Sequence, residues 1–489
     1  MESRPVHVTR YPETLLPDDS RVIARYFDLH SRSRIKAMIK RILRIPNAQV
    51  PQLLAEVKRD FGVRHRDVEQ ILMDNYRSVA SYCDVDAELT EERRYLIGAC
   101  FTMEYSIEAA ALFNPSIVPH PDQSSLAPES IRFLLSLRAT GEGHISSIVF
   151  RRGVIDAEGA MSFDPPPRYA YCARPIPKPS FDKREFLRQL MAMGTPEELA
   201  ISTLIQLPDP FPAKDLQKIT EQITQSPDTP GPLRNLANDM DWAARAEYEL
   251  KYPSDCPPGD IVIFPATESE RRGMEDLRLV RLMESNGWAR YLGTYTAYDG
   301  KRTFPMMLET VDFTTFRVSR LVGKYARNKG FALFPRKVAG QYVMVARCDG
   351  VNLYLLTSEN LNEWNTGRKL VGPQEPWEVS HIGNCGSPLE TEAGWLLLTH
   401  GVGPVRRYCI GAVLLDREEP ERVIGRLREP LMSPGVDERE GYVPNVLYSC
   451  GSMIHQDRLI IPYAMSDSRT AFANVSVSEL VDRLAASGP

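Results

Sequence analysis

Three charged residues stand close together in the run Gly273-Met274-Glu275-Asp276-Leu277-Arg278, between a polar stretch at 267–272 and an apolar one at 279–283. A carboxyl beside an arginine suits proton donation to a leaving group, with the arginine holding that charge or a ligand's. In a regular strand neighbouring side chains face opposite ways. The spacing therefore predicts that one of Glu275 and Asp276 faces an inner site and the other faces away, with Arg278 on the side of Asp276. The plainer reading is a charged turn at the start of a strand.

Further along, Lys329 precedes an apolar run at 331–335, Arg347 ends one at 342–346, and His400 ends one at 395–399. Each alone reads as structural. Three donors or cations at matching places on successive runs would make an anion site, the arginine as a planar fork and the lysine as a point charge. Asn445, Tyr463 and Asp467 lie in the last apolar segments, where amides and carboxylates suit sugar hydroxyls but also serve turns.

The elements that must position these residues are mostly strands. From 261 to 480 short apolar runs alternate with Gly, Asp, Asn and Pro turns. An apolar run followed by a turn and a large aromatic occurs at 306–316, ending on Phe316, and again at 353–364, ending on Trp364. A weaker copy lies at 148–163. A period of about 48 residues fits a β-propeller blade, which cannot bury both its faces alone. A β-sandwich is the alternative.

Residues 1–112 read as helical, at 31–45, 50–61, 68–82 and 90–111, the last with a start signal at Asp86 and Thr90. The basic face at 32–44 reads as solvated. Residues 113–164 form a first β part, with a hairpin between 131–137 and 144–150. Residues 165–257 read as a helical insertion, with helices at 181–193, 195–205, 213–224 and 233–250; 258–489 complete the β part. The insertion is expected to pack over or beside the mouth of the inner site.

The chain has 489 residues, 43% apolar and 25% charged, with a net charge of -5. That excludes a strongly basic nucleic-acid binder and gives no attraction to acidic membranes. The eight cysteines and eight histidines are scattered without metal-ligand spacing, so no metal is expected. The start, 1–10, is polar, and no apolar run reaches the ~18 residues of a membrane span. The expectation is a cytoplasmic protein with reduced thiols, open as to homo-oligomer formation.

The stretches 113–117, 273–278, 328–337 with 342–347, 394–401, 411–416, 441–446 and 463–467 resemble, in order, glycoside hydrolase family 130. That family comprises β-mannoside phosphorylases and some β-mannosidases. The likeness covers 113–163 and 258–480 and implies a five-bladed β-propeller. It also implies inverting phosphorolysis of β-linked manno-oligosaccharides, giving α-D-mannose 1-phosphate and a shortened acceptor. The family's single acid falls on Asp276, acting through the sugar's 3-hydroxyl in β-1,4 members. Phosphate, the only co-substrate, would be held by Lys329, Arg347 and His400. The implied sugar contacts are Asn114, Arg138, Glu275, Arg278, Asn445, Tyr463 and Asp467. No cofactor is implied.

The chain departs from the family pattern at Leu277 (usually Pro), at Gly330 (usually Asp), and in Gly383-Asn384-Cys385-Gly386-Ser387-Pro388, where a Gly-rich Pro-Pro segment is usual. These lie near the sugar and leave linkage and acceptor open. The alternatives are a β-mannosidase using water and a non-catalytic sugar-binding propeller.

Overall fold

The structure is a computed structural model and describes residues 6–83 and 89–489; Asp86 and the first five residues lie outside the described residues. The protein is mainly β, with two helical groups attached.

In the first group, Ser31 caps Arg32–Leu43 by accepting from Arg34 N, and Thr90 caps Glu91–Cys100 by accepting from Arg93 N. Ile35, Ile39 and Ile42 recur at helical spacing and pack with Leu54, Tyr76 and Ile97 into a core of their own. Two expectations need correction. The helix begun at Thr90 stops at Cys100, and the β-branched and aromatic Thr102–Ser106 pairs antiparallel with Val22–Tyr26. Thr9–Leu15, also within the supposedly helical stretch, is a strand that pairs with Arg469–Ser476.

Among the described residues five sheets carry four or more strands each. Numbered first to fifth, they start at one edge with Ala111–Pro119, Met274–Met283, Lys329–Leu333, His381–Asn384 and Leu447–Tyr448. The third is a plain antiparallel meander, and the others add short strands to the same plan. Period-two alternation gives each sheet two apolar faces. On Gly394–Val402, Trp395 and Leu397 pack with Val343 and Leu355 of the third sheet, while Leu396 and Leu398 pack with Ile461 and Ala473 of the fifth. Other cores join the first sheet to the second (Leu134 and Ile148 with Tyr291 and Met306) and the second to the third (Leu282 and Leu292 with Phe331 and Met344). Phe133 and Leu135 of the first sheet meet Ile460 and Phe472 of the fifth. Phe316 and Trp364, the aromatics of the repeat, are both fully buried.

The second helical group has the helices Lys183–Ala192, Glu197–Leu204, Ala213–Gln225 and Gly231–Arg245 around Phe186, Phe211 and Met240. Its last expected helix ends at Arg245, and Tyr248–Lys251 is a strand on the outer strand Thr315–Arg320 of the second sheet. Ile176–Pro177 pairs with it in turn. This group thus extends the edge opposite Met274–Met283. None of its residues lines the cavity around Asp276.

Candidate active site

The first strands of the first three sheets share a local irregularity. The ladder slips between Phe113 and Ser116, between Glu275 and Arg278, and between Lys329 and Ala332. At these bulges Asn114 (φ 49), Asp276 (φ 58) and Gly330 (φ 81) take left-handed backbone. Asn and Asp tolerate that conformation better than most residues, and bulges re-aim side chains next to sites. The bulge overturns the alternation expected for the acid pair. Glu275 and Asp276 both line one cavity of 210 Å³, and Arg278 drops out of the lining to lie behind it.

The cavity gathers Asn114, Arg138, Glu275, Asp276, Lys329, Arg347, His400 and Asp467 from all five sheets or the turns between their strands. Asp276, 8% exposed, accepts from the Asn114 amide at 2.7 Å and pairs with Arg138 at 3.4 Å. Arg138 also binds Glu275 at 3.1 Å, and Lys329 approaches Glu275 at 3.7 Å. Burial pushes the Asp276 carboxyl up, but Arg138, Arg278, Lys329 and the Asn114 hydrogen bond outweigh it and hold it below the usual carboxylate range. Asp467 goes the other way: burial first, then the Asp276 charge, push it up to about 6.

Buried Arg278 braces the site from behind. Its guanidinium donates to the Asp276 carbonyl at 3.0 Å, to the Asn384 side-chain oxygen at 3.2 Å and to the Tyr448 hydroxyl at 2.6 Å. Asn384, in the segment that departs from the family pattern, donates in turn to the Gly330 carbonyl at 2.5 Å. The two departures at Gly330 and Asn384 are therefore one contact.

The far wall is cationic. Arg347 Nε and Nη1 are buried with no partner, and so is His400 Nε2. Asp349, the obvious carboxylate for Arg347, spends its oxygens on Val351 N, Asn352 N, the Asn352 amide and the Tyr354 hydroxyl. Buried polar atoms are normally paired, so the unpaired Arg347 donors beside the cavity mark a place for a ligand acceptor, and the unpaired His400 nitrogen a place for a second ligand contact. The His381 imidazole, ring centroid 6.0 Å from that of His400, is pushed down to about 4 by burial, then by Arg347, Lys329 and Arg406.

Two residues expected at the sugar are elsewhere. Tyr463 is in the core between the fourth and fifth sheets, its hydroxyl donating to Glu438 at 2.7 Å. Asn445 (φ 64) is absent from the lining; its backbone accepts from Tyr408 N at 3.0 Å and donates to the Arg439 carbonyl at 3.2 Å. The lining adds Arg406, Tyr408, Val446 and Tyr448, which the reading of apolar runs missed. Arg406 sits with Val405 in a tight turn at positive φ, just before the strand Tyr408–Leu415. The available signal was the pair Arg406-Arg407 at the mouth of an apolar run.

A converging polar cavity on a multi-sheet β scaffold, with a braced carboxyl and unpaired Arg347 donors, suits a carbohydrate-active enzyme. A family model described as beta-1,4-mannooligosaccharide phosphorylase matches residues 258–486. A 1,2-beta-oligomannan phosphorylase of Thermoanaerobacter sp. (strain X514) is 32% identical over 223 residues, 45% of this chain and 73% of that protein. A beta-1,4-mannooligosaccharide phosphorylase of Ruminococcus albus is 30% identical over 43% of this chain and 62% of its own length. A solved beta-1,2-mannobiose phosphorylase from Listeria innocua, in complex with beta-1,2-mannobiose, superposes with a TM-score of 0.46 at 19% identity, covering 77% of this chain and 92% of that one. The chain belongs to glycoside hydrolase family 130.

Proposed function

We propose that this protein is an inverting β-mannoside phosphorylase built on a five-bladed β-propeller. The five sheets, packed each on the next with the fifth on the first, support the architecture. The observation that carries the reaction is the cationic wall: unpaired Arg347 beside Lys329 and Arg406, facing a site whose carboxyl Asp276 is already braced.

Phosphate binds Lys329, Arg347 and His400 and attacks C1 of the β-mannosyl unit from the face opposite the leaving oxygen. The C1–O bond to the acceptor breaks as the bond from C1 to phosphate oxygen forms. Asp276 supplies the proton to the departing oxygen, giving α-D-mannose 1-phosphate and a shortened acceptor. An already anionic nucleophile needs no second carboxylate as base, but it needs cations placed to hold it. Phosphate also prepares the acid. Lys329 is one of the charges holding Asp276 ionised, and an anion beside Lys329 offsets that charge and raises the proton affinity of Asp276.

Asn114, Arg138, Glu275 and Asp467 contact the mannosyl unit in this reading, with Arg278 as a positioning residue. Phosphate is the only co-substrate, and no cofactor takes part. The scattered cysteines, without the spacing of a disulfide frame, support a cytoplasmic setting. The alternative of hydrolysis has one observation behind it, the third carboxyl Asp467 in the same cavity, available as a base. The deciding experiment is incubation with β-1,2-, β-1,3- and β-1,4-mannobiose with and without phosphate. Phosphate-dependent mannose 1-phosphate is expected; equal mannose release in both conditions would establish the hydrolase.

A further inference from the structure

His400 lines the cavity, and its two ring nitrogens have different partners. Nδ1 lies 3.0 Å from the Asn384 backbone carbonyl oxygen. A carbonyl only accepts, so Nδ1 must carry a proton; without one, two lone pairs would face each other at hydrogen-bond distance. Nε2 is buried and has no protein partner.

The charged and titratable groups around the ring keep it neutral. Burial, then Arg347 from the third sheet, His381 from the fourth and Arg278 from the second, push its proton affinity well below that of a free imidazole. The other neighbours are the Tyr448 ring at 4.8 Å, the Tyr408 ring at 5.9 Å and the Cys385 thiol at 4.0 Å from Nδ1. A neutral imidazole protonated at Nδ1 presents a lone pair at Nε2. This reverses the simple expectation that His400 donates to an anion. The ligand group meeting Nε2 must itself be a donor, which means a hydroxyl.

We propose that His400 accepts a hydrogen bond from the P–OH group of phosphate, and that this contact makes the site select phosphate over sulfate. The proposal rests on the phosphorylase reading and adds a specificity element to it. Both phosphate species present near neutral pH carry a P–OH, whereas sulfate has the same shape and no proton. Arg347 and Lys329 serve either anion, so they supply affinity without discrimination. A fixed acceptor facing an anion that has only acceptors leaves both unpaired and desolvated, which is how a hydrogen-bonding site rejects an analogue lacking its hydroxyl.

The test is inhibition of phosphate-dependent mannose 1-phosphate formation by sulfate, with arsenate, which carries an As–OH, as the protonated analogue. Sulfate is expected to bind more weakly than phosphate by on the order of a hundredfold, and arsenate comparably to phosphate. These wild-type measurements need no variant. In His400→Ala the phosphate affinity should fall and sulfate affinity should hold or rise, so that the two converge. Sulfate competing as well as phosphate in the wild type would overturn the proposal. So would a His400→Ala enzyme that loses mannoside affinity but keeps the phosphate-to-sulfate ratio, because the donor would then be a sugar hydroxyl. Absence of phosphate-dependent product in the wild type is a separate result, refuting the phosphorylase reading itself. In that event direct titration of the protein with phosphate and sulfate still tests the contact.

Discussion

Replacing Arg347 by alanine separates phosphate from sugar. Arg347 Nε and Nη1 are buried and unpaired without ligand, so the substitution removes no protein contact at those atoms. It also relieves crowding of like charges near Lys329 and Arg406. The folded protein should therefore lose no stability and its melting temperature should hold or rise. With phosphate bound, the same atoms make two charge-assisted hydrogen bonds in a site shielded from water. Truncating one partner of such a contact costs about 2–5 kcal/mol, roughly thirty-fold to several thousand-fold in affinity. Initial rates over a grid of phosphate and mannoside concentrations measure the two dependences on one folded enzyme. The phosphate KM should climb by that factor and the mannoside KM should change little. Arg347→Lys should recover part of the loss, since one point charge does not replace a planar fork. A thermal-shift titration gives an independent reading: phosphate at a hundred times its Kd stabilises the wild type by about 2.7 kcal/mol, and the variant should gain under about 1 kcal/mol at that concentration. Equal losses for both substrates, or a lower melting temperature without ligand, would refute the reasoning and make Arg347 a structural residue.

Asp276→Asn should keep the fold and lose ~10²–10⁴ in turnover on an unactivated mannoside; retention of more than about a tenth of the rate would remove Asp276 as the acid. Asp467 holds its proton more tightly folded than unfolded, so its contribution to stability is full below about pH 4 and is lost as pH rises through about 6. Asp467→Asn should accordingly gain on the wild type between pH 4 and pH 7, by on the order of 3 kcal/mol, in melts across that range; a pH-independent difference would contradict the assignment. Tyr463→Phe should cost about 1 kcal/mol of stability through the lost bond to Glu438 and leave the mannoside KM unchanged, and a raised KM would return Tyr463 to the sugar site.

The parts of the fold legible in the sequence are those written in local periodicity. The apolar run at 395–399 marked a strand buried on both faces, and the Phe316 and Trp364 repeat marked successive sheets. The polar residues ending apolar runs, Lys329, Arg347 and His400, do converge on one cavity. The bulges were not legible. Nothing in Asn114-Pro115 or Asp276-Leu277 demands left-handed backbone; it accompanies a register shift in the ladder, a pairing that local pattern does not encode. Regular alternation therefore misplaced Glu275 and Arg278. The outer position of the 165–257 stretch was hidden for a similar reason. It is fixed by Tyr248–Lys251 pairing with Thr315–Arg320, a long-range contact that local pattern does not encode. Arg406 was missed because a turn leaves no period to read, and Tyr408 because it opens its strand.

The strand Thr9–Leu15 finds its partner in Arg469–Ser476, with Thr9 opposite Asn474. During synthesis that strand stays unpaired until residues 469–476 have emerged. Until the late residues emerge, the fifth sheet lacks both a middle and an edge, and the face of the first sheet that meets Ile460 and Phe472 stays bare. An open strand edge beside exposed apolar surface is the usual starting point for pairing with a neighbouring chain. Joining segments so far apart is also slow, because the loop must close before any contact rewards it. Nascent chains of this protein should thus depend on chaperone cover until residues 469–476 emerge. A circularly permuted chain, with Thr9–Leu15 following Arg469–Ser476 directly, should fold faster and aggregate less while enclosing the same cavity.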